Sequence, residues 1–275
     1  MLARKMNEGD RLRHAVVCAP GPAYSAVTDL EAHNLAEAPD AARSAVQHAA
    51  LVRVMEEAGA RVTILDEPDD EPNAVFVRDA ALVTSAGRVR VRMGLPARRR
   101  EPAWLGAALA TMDLPPAGLI EAPGTLEGGD LILAGDVAFV GRSSRTNQEG
   151  IRQLTALLRP LGCEVRVAEV RGGHLHLGGV MSAIGPRRVV AVAGAVDPLI
   201  LQGFEVVELP QRPGAPPGAN VLCLGPDEVV ANVSDGLDPV EVLEAHGVRV
   251  HRLDLSEFRK GSGGPTCLVL PVERG

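Results

Sequence analysis

The apolar positions of this 275-residue chain fall in short bursts, not long stripes, and the bursts repeat. Segments 54–65 (VMEEAGARVTIL), 157–167 (LLRPLGCEVRV), 201–209 (LQGFEVVEL) and 243–253 (LEAHGVRVHRL) share one plan: a helix or turn, a glycine, then a short strand. The glycine suits a left-handed helix C-cap, and the alternating Val, Ile and Leu after it suit a half-buried strand. A second pattern interleaves with the first. Paired apolar runs flank glycine turns at Ala86-Gly87, Ala134-Gly135-Asp136, Gly185-Pro186 and Gly225-Pro226-Asp227, and these predict hairpins such as Leu131–Val140. Between Asn147 and Leu158 the period lengthens to that of a helix, with Ile151, Leu154, Leu157 and Leu158 on one face.

Units of roughly 40 to 50 residues point to a closed array. Five are counted, at 13–65, 73–110, 124–168, 174–209 and 219–258, the second fitting least well. The final strand, Thr266–Val272, has no unit of its own and is placed beside His14–Cys18, closing the array. The Pro/Gly-rich connections 66–72 and 210–218 are too short to isolate domains. The expectation is one closed α/β domain over 1–275, with 1–12 as a flexible leader.

The register then makes a positional prediction. Asp79, Glu127, His176 and Asn220 stand 8, 8, 9 and 5 residues ahead of the turn glycines Gly87, Gly135, Gly185 and Gly225. Equivalent positions in a pseudo-symmetric ring surround one end of its axis, so these side chains should face one another. Cys267, at the start of the closing strand, should join them.

Composition narrows the chemistry. Apolar residues make up 46% of the chain and aromatics 2%, so the core is aliphatic and an aromatic platform for nucleic acid is not expected. A net charge of −7 gives no general attraction to nucleic acid or an anionic membrane. The N-terminus lacks the apolar run of a signal peptide, and no uncharged stretch approaches the roughly 18 to 20 residues of a membrane span. The cysteines at 18, 163, 223 and 267 have no Cys-x-x-Cys spacing, which suggests neither a zinc site nor a disulfide framework. The expectation is a cytoplasmic protein with free thiols and no nucleic-acid or membrane partner, with a homodimer as one candidate assembly.

Each candidate residue has a plainer reading beside the chemical one. Cys267 follows the flexible Gly261-Ser-Gly-Gly-Pro-Thr approach, whereas Cys18, Cys163 and Cys223 sit in apolar strand patterns as core residues. His174 and His176 could share a strand face and bind metal, could be a solvated and a hydrogen-bonded histidine, or could supply the acid/base partner of Cys267. In Gly124-Thr-Leu-Glu-Gly-Gly-Asp130, two carboxylates argue against a phosphate loop; Glu127 fits a cation and Asp130 a turn cap. Asp79 ends a nearly apolar run, where a buried carboxylate is costly without a positive partner, a place that a cationic substrate would fill. Arg98 in Arg98-Arg99-Arg100 reads as part of a solvated charge run and Arg145 as a cap on the following helix, or the two pair with a carboxylate. Segment 19–40 reads as a lid or as a surface loop.

These segments together resemble a known family. Ala122-Pro-Gly-Thr-Leu-Glu-Gly-Gly-Asp130, Gly141-Arg-Ser-Ser-Arg-Thr-Asn147, His176-Leu177 ahead of Gly185-Pro186, and Asp254-Leu-Ser-Glu-Phe-Arg-Lys260 with Gly263-Gly-Pro-Thr-Cys267 are similar to dimethylarginine dimethylaminohydrolase. More broadly they resemble the guanidine-modifying superfamily with arginine deiminases and amidinotransferases. The resemblance implies a five-bladed, pseudo-fivefold α/β propeller (pentein), a small guanidino substrate, and no metal or organic cofactor. It also implies Cys267 as nucleophile, His176 as general acid/base and Glu127 as the carboxylate that orients it. Asp79, Asn73 and Phe76 would bind substrate, and Arg98 and Arg145 would clamp its carboxylate. The implied reaction takes N-methylated arginine to citrulline through a thiouronium on Cys267.

Three positions depart from the family. Arg78 and Asn73 stand where dimethylarginine hydrolases carry acids, and Gly178 where deiminases carry Asp. An arginine deiminase-like hydrolase, an amidinotransferase, or a non-catalytic binding protein on the same fold are the alternatives.

Overall fold

In the computed structural model, which describes residues 6–170, 173–212, 214, 216 and 218–275, each glycine-strand burst becomes the outer strand of a three-stranded sheet. β1 (Leu12–Cys18) pairs in parallel with β2 (Arg61–Leu65), the crossover being made by the helix Ala41–Glu57. Four further sheets follow in chain order. They are β3 (Ala81–Thr84), β4 (Gly87–Arg90), β5 (Pro116–Leu119); β6 (Leu131–Ala134), β7 (Val137–Arg142), β8 (Glu164–Glu169); β9 (Met181–Gly185), β10 (Arg188–Val192), β11 (Glu205–Leu209); and β12 (Leu222–Gly225), β13 (Glu228–Asn232), β14 (Arg249–Leu253). In all four the first two strands form an antiparallel hairpin and the third runs parallel to the middle one.

Parallel pairing requires a crossover. Helices Glu101–Ala110, Gln148–Leu158 and Asp238–Ala245 supply three, and a 3-10 turn at Pro198–Leu201 supplies the fourth. The glycines predicted as helix C-caps, Gly59, Gly162, Gly203 and Gly247, all have positive φ, from 72° to 90°. A side chain there would be strained, so the four turns into outer strands depend on them.

The last strand, β15 (Leu270–Arg274), lies antiparallel to β1, with Leu12 opposite Arg274 and Val16 opposite Leu270. The two ends of the chain thus complete the first blade and close the ring, giving a five-bladed α/β propeller. The innermost strands β3, β6, β9 and β12 are buried throughout, while β2, β5, β8, β11 and β14 form the half-exposed rim. Among the described residues, no helix is long and apolar enough to cross a membrane.

Three boundaries differ from the sequence expectation. The second unit extends past 110 to β5, because a 3-10 turn at Pro96–Arg98 and the 101–110 helix lengthen its crossover. The closing strand begins at Leu270, not Thr266: Cys267 N–H donates to Gly264 O (3.1 Å) and Val269 N–H to Thr266 O (3.3 Å), so Cys267 sits in a turn before the strand. Of the supposed leader, 1–5 lie outside the described residues, but 7–10 are fixed. Glu8 N–H donates to Leu133 O (2.7 Å), and Gly9 packs so tightly on the Gly185 backbone that no Cβ would fit.

Candidate active site

The four register positions do converge. Asp79 lies in the short helix Val77–Ala80 before β3, Glu127 just ahead of the 3-10 turn Gly128–Asp130 before β6, His176 just ahead of the turn Leu177–Gly179 before β9, and Asn220 just before β12. All four, with Cys267 before β15, line one cavity at the end of the ring where the innermost strands begin. Pseudo-fivefold repetition therefore delivers one polar side chain per blade to a common axis.

One half of the cavity is a charged, buried cluster. His176 Nε2 is 2.8 Å from Glu127 Oε2, and its Nδ1 is 3.8 Å from Asp79 Oδ1. Burial by itself would push this imidazole down. The charge of Asp79, the hydrogen bond with Glu127 and the charges of Asp130 and Glu127 outweigh it and raise His176 to about 10. Glu127 moves the other way: burial opposes ionisation, but the His176 bond and the charges of His176, Arg98 and Arg145 lower it to about 2. Both shifts favour a protonated imidazole beside an ionised carboxylate. Glu127 Oε1 also accepts the backbone N–H groups of Gly94 (2.9 Å) and Leu95 (3.1 Å), which fix its rotamer.

The glycines of the 124–130 loop serve close packing, not phosphate. A Cβ on Gly129 would lie 2.6 Å from Asp79 Oδ1 and 2.8 Å from the His176 ring, and one on Gly128 2.1 Å from Arg78 O. Asp130 is buried and structural: Oδ1 accepts Leu177 N–H (2.9 Å), the residue after His176, and Oδ2 the Ser143 hydroxyl (2.6 Å).

The other half is neutral. Asn220 Nδ2 donates to Cys267 Sγ (3.2 Å), and Asn220 Oδ1 accepts from both the backbone N–H (3.1 Å) and the hydroxyl (2.7 Å) of Thr266. Arg78 N–H donates to Cys267 O (3.2 Å), tying the Cys267 turn to the Asp79 helix. Phe76 is buried against Gly261 and Gly263, where a Cβ would meet its ring at 2.7 and 2.2 Å, so the approach to Cys267 runs directly over this ring. Cys18 and Cys223 are buried strand residues, and burial raises both thiols, Cys223 to about 11.

Two expected substrate ligands are occupied by the protein. Arg98 is 4% exposed and donates to Asp79 Oδ2 (2.7 Å), to both Glu101 oxygens (2.8 and 3.1 Å from Nε, 2.8 Å from Nη2) and to Phe76 O (3.1 Å). It is a buried counter-charge, so it is not free to clamp a carboxylate, and the positive partner expected for Asp79 is this arginine. Asn73 is likewise committed, with Oδ1 2.8 Å from His33 Nδ1 and Nδ2 donating to His33 O (2.9 Å). That pair draws the 19–40 segment onto the site, placing His33 and Asn34 in the cavity wall.

Arg145, by contrast, lines the cavity with a guanidinium that has no hydrogen-bond or ion-pair partner among the described residues. Arg78 turns aside to Glu8 (2.7 Å) and Leu131 O (2.6 Å). His174 shares the cavity, but the close donor group Asp79–Glu127–His176, with atoms within 4.8 Å, excludes it. The ion pair Arg98–Glu101 was visible as an i,i+3 spacing on a helix start. The Asn73–His33 contact, 40 residues apart, left no sequence signal.

Comparison with known proteins gives a consistent picture. A family model described as N,N dimethylarginine dimethylhydrolase, eukaryotic, matches residues 26–274. The dimethylarginine dimethylaminohydrolase of Pseudomonas aeruginosa is 32% identical over 257 residues, covering 92% of this chain and 98% of its own. That of Streptomyces coelicolor is 34% identical over 205 residues, with 74% and 76% covered. The arginine deiminase of Listeria innocua is 28% identical over 257 residues, 75% of this chain and 63% of its own. Among solved structures, a dimethylarginine dimethylaminohydrolase adduct with 4-chloro-2-hydroxymethylpyridine superposes with a TM-score of 0.81 at 29% identity, over 94% of this chain and 99% of the other. A cysteine-to-serine variant of the Pseudomonas aeruginosa enzyme complexed with citrulline gives 0.81 at 28%, with the same coverage. The amidinotransferase SxtG of Microseira wollei, 18% identical with a TM-score of 0.80, shares the fold.

Proposed function

This chain belongs to the dimethylarginine dimethylaminohydrolase family, and from that premise we propose that it hydrolyses an N-methylated arginine to citrulline and a methylamine through a covalent thiouronium on Cys267. The observation that carries this reading is the convergence of Cys267, His176, Glu127 and Asp79 on one cavity, with His176 held as an imidazolium by Glu127.

A guanidinium carbon is a weak electrophile, so the site must hold it against a strong nucleophile. Asp79 Oδ1 is buried, has no hydrogen-bond partner and faces the cavity group, and with Glu127 it supplies negative charge for the cation. The Cys267 thiolate attacks the guanidinium carbon, forming a C–S bond. His176 donates its proton to the departing nitrogen as the C–N bond breaks, and the amine leaves. The now neutral His176 takes a proton from water, whose oxygen adds to the thiouronium carbon. Breaking the C–S bond, with the adduct's remaining hydroxyl proton passing to solvent, then releases the ureido product and restores the thiolate.

A histidine raised to about 10 is protonated at rest, which suits its first task. The positive charge of the bound guanidinium, and then of the thiouronium, lowers it for the second. Arg145 supplies the charge for a substrate carboxylate, with Phe76 as the apolar wall beside the reacting end.

The experiment is a panel of arginine, monomethyl- and dimethylarginine, agmatine and smaller guanidino acids scored for ureido product, with denatured, substrate-quenched protein weighed for an adduct on the Cys267 peptide. Preferred turnover of a methylated arginine with a Cys267 adduct is expected. Preference for free arginine would make this a deiminase. Full turnover by Cys267→Ser would remove the covalent mechanism.

A further inference from the structure

Asn220 occupies the fourth register position but has no part in the acid/base chemistry above, and its side chain is 8% exposed against the nucleophile's turn. Its amide orientation is determined by its neighbours. Oδ1 accepts two hydrogen bonds, from the backbone N–H of Thr266 at 3.1 Å and from the Thr266 hydroxyl at 2.7 Å. A backbone N–H can only donate, so the atom facing it must be the oxygen; a flipped amide would set N–H against N–H. The NH2 group therefore has to face Cys267 Sγ, 3.2 Å away. The turn is shaped around this contact: a Cβ on Gly264 would lie 2.6 Å from the Asn220 amide carbon.

We propose that Asn220 is a thiolate-stabilising and positioning residue for Cys267, an uncharged donor that favours the sulfur's anionic form and aims it into the cavity. This rests on Cys267 being the nucleophile. The physical case is that a hydrogen bond to the charged form favours that form, and that a donor in a part-buried site strengthens as water is excluded. A neutral donor has an advantage over a cation in this position. The substrate is itself a cation, and a lysine or arginine beside the sulfur would repel the guanidinium the thiolate must attack. The charged and titratable groups that line the cavity with the thiol are Glu8, Asp79, Glu127 and Asp235, the arginines Arg78, Arg98, Arg145, Arg259 and Arg274, and His33, His174 and His176, and Asn220→Ala leaves all of them in place.

Asn220→Asp is the decisive variant, because one carboxylate oxygen can keep both Thr266 contacts while the other replaces the donor with an acceptor against sulfur. Its added charge also opposes the thiolate, so its profile is read beside those of the neutral variants Asn220→Ala and Thr266→Val. Alkylation of the Cys267 peptide by iodoacetamide, followed by mass across a pH series, needs no substrate. For Asn220→Ala the midpoint of the rate profile is expected to move up by about one pH unit, a roughly tenfold slower reaction at pH 7. Asn220→Asp should move it further. Thr266→Val, which removes one of the two bonds that orient the amide and keeps the backbone one, should give a smaller shift and is the arm to read if the others unfold.

Profiles that superimpose on the wild type in all three variants would overturn the proposal. So would a normal profile for Asn220→Asp beside a shifted one for Asn220→Ala, since that means packing alone. If the profiles shift as expected but no guanidino compound is hydrolysed, the substrate reading fails and the Asn220 assignment stands.

Discussion

The two halves of the cavity hold their reactive groups by different means. Around His176 the means are charges: Asp79 and Glu127 on either side, with Arg98 and Glu101 behind Asp79, all nine-tenths or more buried except the histidine itself. Around Cys267 they are neutral: one amide, one hydroxyl and backbone groups, on a turn that is partly exposed. A group that must carry a proton at neutral pH gains from surrounding acids. A thiol that must lose one would be hindered by them, and a cation beside it would repel the substrate.

Breaking the charged half should have the largest effect. His176→Gln keeps a polar side chain against Glu127 but has no proton to give, and turnover is expected to fall by about 10³-fold, while Cys267 still alkylates. Retained turnover would move the acid/base role elsewhere. Arg98→Met should act through stability first. It leaves Asp79 and Glu101 buried without their counter-charge, a loss of about 3 to 5 kcal/mol by denaturant titration. Glu101, which burial raises to about 7 despite Arg98, would then take up a proton and recover part of that. If stability were unchanged and only KM rose, Arg98 would be a substrate ligand after all.

A second buried histidine sharpens the comparison, because it shows what burial does without acids. His48 packs on Phe258 in the 41–57 helix, its Nε2 has no partner, and burial lowers it to about 4. Below pH 6.5 the unfolded chain binds a proton there that the folded chain refuses. Stability should therefore fall between pH 6.5 and about 4, on the order of 3 kcal/mol. His176 has the opposite sign: its raised value adds stability that is full below 6.5 and lost as pH rises through about 10. Denaturation midpoints across pH should show both limbs, with His48→Leu flattening the acid one and His176→Gln the alkaline one. The smallest effect is expected for Arg145→Ala. With its guanidinium free of partners among the described residues, its loss should raise KM about tenfold for arginine-type substrates and leave agmatine, which has no carboxylate, nearly unchanged.

The repeat register made much of this legible before any coordinates. Asp79, Glu127, His176 and Asn220 were found by counting back from turn glycines, and all four meet. Other features were not legible. Cys267 was placed on a strand because it stands in the apolar run Cys267–Leu270, whereas the bonds Cys267 N–H to Gly264 O and Val269 N–H to Thr266 O carry the Gly-Gly-Pro turn into that run. Arg98 passed for a free cation because its spacing from Asp79 crosses a hairpin, and only folding makes that a contact of 2.7 Å.

Short-range physics is written along the chain: apolar period, glycine at positive φ and one polar residue per blade determined the five-bladed ring and the membership of the site. Which of those polar groups pair with one another was decided by the tertiary structure. Pairing in a buried site depends on which residues far apart in sequence are brought within hydrogen-bond distance, and on which charges lose their water. That is why Arg98 became a support, Asn73 a tether for His33, and Arg145 the guanidinium left free.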